Sequence, residues 1–167
     1  MNIIEELEKV RQSLSETVIA ACDRLVEELE NPSPESESKI IETPLTISLS
    51  TDPYIFIGKK PAAVLFDEER VETKSWRDVY KVVLTRCNEN PKCHDMLMYL
   101  RGKTAGKSRI FLAESPNGMV RPVKIDEELY GEVQYGSQTL MHILCNRILD
   151  YTGFDYSGIS IVIRGKR

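Results

Sequence analysis

The sequence predicts an α+β fold, a long N-terminal helix followed by a compact mixed sheet with about three helices. Three observations carry that expectation. Apolar residues recur at three- and four-residue steps through residues 2–30, with no Gly or Pro among them. Short runs such as Leu45–Ser50 alternate apolar and polar side chains. Hairpin-type turns separate most of these runs, and helical patterns fall between them irregularly, unlike a doubly wound parallel sheet.

In the first element Leu7, Val10, Leu14, Val18, Ala21, Leu25 and Leu29 form one stripe. A helix of this length extends ~43 Å, longer than the rest of the chain is wide. Its stripe must be covered by its own body, a second copy or another partner, and a homo-oligomer through residues 1–30 is the expectation. Asn31–Lys39 holds two prolines among Ser and Glu and reads as a linker. The expected domains are therefore helix 1–30, linker 31–39 and an α+β binding domain over 40–167.

Within the body, Leu45–Leu49, Tyr54–Ile57 and Ala62–Phe66 read as strands, and Asp67–Glu69 turns the chain into Arg70–Lys74. Ser75-Trp76-Arg77-Asp78 reads as a capping box. It starts a helix with Trp76, Val79, Tyr80, Val83 and Cys87 on one face. Pro91 opens a second helix, and 101–107 is a Gly- and Lys-rich loop. Arg109–Ala113 and Met119–Lys124 read as a hairpin around Ser115–Gly118, and Pro122 confines its return strand to a sheet edge. Leu129–Tyr135 is a strand, Gly136-Ser137 starts a helix that Gly153 ends, and Ile159–Ile163 closes the sheet.

Composition bounds the function. With 41% hydrophobic and 29% charged residues the chain is globular. No apolar run approaches the ~20 residues of a membrane span, and the N-terminus lacks a signal-peptide pattern. A cytoplasmic protein with no membrane partner is expected. The four cysteines, Cys22, Cys87, Cys93 and Cys145, are expected as buried thiols. Net charge is divided: residues 1–42 carry −7 and residues 43–167 carry +3.

The motifs that carry chemistry weaken on inspection. Gly102–Ser108 resembles a phosphate-binding loop but has three residues, not four, before its Gly-Lys-Ser, and it follows a helix. Cys87, Cys93, His94, His142 and Cys145 hold thiols and imidazoles but no Cys-x-x-Cys pair. No nucleophile–base motif is present. The expectation is a non-enzyme with no catalytic residues, metal or cofactor. Charge remains: Arg101, Lys103, Lys107, Arg109, Arg121 and Lys124 face the single acid Glu114 within 24 residues. These six are the candidate macromolecule-binding residues, a footprint for phosphate or an acidic protein. Phe111 is the only aromatic inside the segment.

Gly58–Pro61, Lys74–Val79 and Tyr130–Ser137 resemble a small uncharacterised domain of proteins encoded by bacterial phages and integrative mobile elements, over residues 55–164. The resemblance implies mobile-element biology, in which small non-enzymatic binders block host defence machinery, and it transfers no site residues. The functional expectation is a homo-oligomeric inhibitor of a host defence complex, such as a CRISPR nuclease, acting by occlusion. The alternatives are a nucleic-acid-binding regulator and a sponge for a signalling nucleotide.

Overall fold

A computed structural model describes residues 8, 9, 12, 16, 18–20, 44–103 and 109–165. The chain divides into two compact units, Met1–Glu42 and Thr43–Arg167. In the first, Glu8, Lys9, Gln12, Glu16, Val18, Ile19 and Ala20 are helical and exposed. The rest of the expected 2–30 helix, its other stripe residues, the linker and Cys22 lie outside the described residues. Among the described residues, no helix is long and apolar enough to cross a membrane.

The second unit is α+β, but its strands form two antiparallel sheets instead of one mixed sheet. The first has the order β1 (Thr46–Ser48), β7 (Ile159–Ile163), β2 (Pro61–Phe66), β3 (Glu69–Glu72). Its central strand β7 pairs Ile161 with both Ile47 and Val64, and all three side chains are buried. The charges lie at the β3 edge, where Arg70 and Glu72 form an ion pair at 2.6 Å. Charged edges discourage pairing with another chain.

Between β1 and β2, the expected strand Tyr54–Ile57 is a 3-10 turn, Pro53–Phe56. Asp52 caps it by accepting from the Tyr54 N–H at 2.9 Å, and Pro53 sets its first dihedral. The Asp-Pro pair outweighed the β-prone residues behind it. Phe56 alone of this turn is buried, leaving Tyr54 and Ile57 in water.

Helix α1 (Trp76–Asn88) starts where expected, with the Ser75 hydroxyl accepting from the Asp78 N–H at 3.2 Å. The Asp78 carboxylate reaches the Lys74 N–H at 3.0 Å, one residue before the cap. Val79, Tyr80, Val83, Leu84 and Cys87 are its buried face. Trp76 is partly buried, its ring centroid 5.0 Å from that of Phe56 and its Nε1 donating to the Lys59 carbonyl at 2.8 Å. Helix α2 (Pro91–Leu100) buries Cys93, Leu97 and Leu100, with Asn90 accepting from the Lys92 N–H.

The second sheet has the order β4 (Leu112–Ala113), β6 (Leu129–Glu132), β5 (Pro122–Asp126). The expected hairpin of 109–113 with 119–124 is therefore not formed, because β6 lies between its two arms. The connection crosses because Glu132, 2% exposed, captures it. Its carboxylate accepts from the N–H groups of Val120 at 2.6 Å, Arg121 at 2.9 Å and Gln134 at 2.9 Å. Those bonds also end the strand at Glu132, short of the expected Tyr135. β5 is an edge strand, as Pro122 requires. Gly131 lets this sheet approach α1, since a Cβ there would sit 2.5 Å from Tyr80 Cε1.

The last helix runs through Ser137–His142, a π-helical stretch Ile143–Leu149, and Asp150–Thr152. Gly153 terminates it in the left-handed region at φ 69°. The π stretch widens the helical repeat. Ile143–Cys145 and Ile148–Leu149 are buried, while Asn146, Arg147, Asp150 and Tyr151 are exposed. Two adjacent pairs of polar or aromatic residues thus share one outer face.

Candidate functional site

That outer face forms one wall of a groove of about 440 Å³, within the size range of ligand sites. Leu100, Lys103 and Phe111 form the other wall. Lys103 is placed there by two backbone bonds that extend the second sheet beyond β4, Gly102 N–H to Leu112 O at 2.8 Å and Phe111 N–H to Lys103 O at 3.4 Å. At the lip, the Tyr99 and Tyr151 rings lie parallel within 2°, with centroids 6.3 Å apart. Both are open to water, 61% and 47% exposed. Lys103 Nζ sits 4.9 Å from the Tyr99 ring centroid. One Asp150 oxygen accepts from the Tyr156 hydroxyl at 2.7 Å, so the acid in the groove is held by its own helix and the chain that follows. Burial and that bond to Asp150 together push the Tyr156 hydroxyl's pKa up.

The five sequence candidates among the described residues do not form one patch. Lys103 lines the groove. Arg101 turns away from it, with Nε donating to Met98 O at 3.2 Å and Nη1 to Glu128 O at 3.1 Å. Arg109 donates to Gln134 O at 3.2 Å, and its guanidinium lies 5.7 Å from the Tyr135 ring centroid. Arg121 and Lys124 are exposed on the β5 flank, opposite the flank that Lys103 extends. Lys107 lies outside the described residues. β6, inserted between the arms of the expected hairpin, keeps Lys103 apart from Arg121 and Lys124.

The sequence reading missed Tyr99, Tyr151, Arg147 and Asn146. Tyr99 lies off the apolar face of α2, an available signal. The other three depend on the π stretch, and the pairing of Tyr99 with Tyr151 is a tertiary event.

The remaining groups are engaged internally. A larger groove of about 600 Å³ is lined by Asp67, Glu69, Glu89 and Asp155. Its one guanidinium, Arg86, is paired with Glu69 and lies 4.7 Å over Phe66. Cys87 and Cys93 both face Thr152, at 3.6 Å and 3.7 Å. Cys145 instead donates to Leu49 O at 3.7 Å. Burial pushes the Cys145 thiol up to about 12 and raises Cys87 similarly, so neither is a ready nucleophile. His94 Nδ1 bonds Asn88 Oδ1 at 2.8 Å and His142 Nδ1 bonds Asn146 at 3.1 Å. Among the described residues, no three Cys, His, Asp or Glu side chains converge as metal ligands do.

No known family model matches this chain, and no curated protein or solved structure is similar to it.

Proposed function

We propose that residues 43–167 form a non-enzymatic binding domain for an anionic macromolecule. The observation that carries this reading is the unpaired charge of its exposed cations. Among the described residues, no carboxylate lies within 4.0 Å of Lys103, Arg121, Lys124 or Arg147. Such cations steer and bind partners of opposite charge. The narrower proposal is a homo-oligomeric, cytoplasmic inhibitor from a mobile element that occludes a host defence complex such as a CRISPR nuclease. Its support is the resemblance of residues 55–164. Self-association through residues 1–30 is supported by the apolar stripe, of which Val18 is 60% exposed.

The test is phage plating on a host with an active CRISPR nuclease, with or without this protein. The wild type should restore plating, and Lys103→Glu/Arg121→Glu/Lys124→Glu should not, while its stability changes by only about 0.5 kcal/mol per exposed site. Equal restoration by both would move the site elsewhere. No restoration by the wild type would end the defence-inhibitor reading, and a monomer mass in light scattering would remove the self-association.

A further inference from the structure

We infer that the groove between the end of α2 and the π-helical stretch binds an unpaired nucleotide unit, with its base on the Tyr99–Tyr151 ledge and its phosphate on Lys103 and Arg147. The inference rests on the anionic-partner reading only through Lys103 and Arg147; the ledge is an independent observation. Two parallel tyrosine rings, 61% and 47% exposed, contribute little to the core. Their exposed π-faces stand beside two cations, the combination with which proteins hold single-stranded nucleic acid. Lys103 is held at the ledge by a cation–π contact, which is weak at an exposed site and easily exchanged for a phosphate.

The polar residues suit a base better than an acidic side chain. Asn146 and Asp150 occupy the same wall as Arg147, one turn apart. Asp150 repels a carboxylate but accepts readily from an exocyclic amine or ring N–H of a base. The Asn146 amide nitrogen is committed to His142, which leaves its carbonyl as a second acceptor. An acidic peptide has nothing to place against the two rings or these acceptors. A paired duplex cannot offer its base faces at all.

The measurement is fluorescence anisotropy of a labelled ten-nucleotide single strand with the full chain. Competitors are the matched duplex, a free nucleoside monophosphate and a poly-glutamate peptide. We expect the single strand to bind, with a logarithmic salt slope of about −0.7 if Lys103 and Arg147 together neutralise one phosphate. Tyr99→Ala/Tyr151→Ala should weaken binding about tenfold or more at an unchanged salt slope. Lys103→Gln/Arg147→Gln should weaken it and flatten the slope. The melting temperature of each variant confirms the fold. If the monophosphate competes as well as the strand, mole for mole, the source is a free nucleotide; if only the strand competes, it is a nucleic acid. Absence of binding overturns the inference, as does a duplex or poly-glutamate that competes equally, or a tyrosine variant that binds as the wild type does. Any of these leaves the plating assay unaffected, so the two proposals fail separately.

Discussion

The two sheets of the body are held by different physics. The four-stranded sheet is a hydrophobic construction. β7 carries Ile159, Ile161 and Ile163 through its centre, and β2 meets it with Ala63 and Val64, all buried. Burial of such side chains is worth ~1.5–3 kcal/mol each. The three-stranded sheet is short, with a β4 of two residues, and its strands do not explain its order. A buried carboxylate does: Glu132 gathers two N–H groups from the segment entering β5 and one from its own chain just past β6, and so decides that residues 114–121 cross to the far flank. Apolar periodicity is local and visible along a chain. A polar clamp of this kind is visible only once its donors arrive.

If that contrast is right, Glu132→Ala is the most damaging single change in the body. It removes the acceptor from three partly buried hydrogen bonds, and each N–H left unsatisfied costs ~1–3 kcal/mol. A total loss of about 3–5 kcal/mol is expected in denaturant melts. Glu132→Gln should fall between, since it keeps one acceptor oxygen but turns an NH₂ toward an N–H. An Ala variant as stable as the wild type would make the second sheet another product of apolar packing.

Trp76→Ala probes the apolar side of the comparison. The indole closes the core beside Phe56 and bonds the Lys59 carbonyl just before β2. As it is partly buried, its loss should cost about 3 kcal/mol, the low end for a large aromatic. A melting temperature that does not move would place the ring on a functional surface.

The smallest effect should come where the two sheets' supports meet. The Tyr80 hydroxyl is fully buried with no hydrogen-bond partner among the described residues, and desolvation holds its pKa far above that of a free tyrosine. Removing an unsatisfied buried hydroxyl is neutral or favourable, so Tyr80→Phe should leave the melt unchanged or stabilise it by up to ~1 kcal/mol. A clear destabilisation would show that this hydroxyl is bonded, and would make Tyr80 part of the polar clamp.

By itself the sequence determined the elements whose cause is local. The alternation at Ile47–Leu49, the Ser75 cap, Pro91 at a helix start, Gly153 after a helix end and Pro122 on an edge strand all express the conformational preference of a residue and its neighbours. Where two local signals competed, as in Asp52–Phe56, the cap and proline prevailed over β-propensity. Tertiary structure alone decided three things: the place of β6 between the arms of an expected hairpin, the separation of Lys103 from Arg121 and Lys124 onto opposite flanks, and the meeting of Tyr99 with Tyr151 at a groove. The physical reason is common to them. Each depends on bonds or contacts between residues far apart in the chain, made by a carboxylate or a widened helical turn whose partners no periodicity announces.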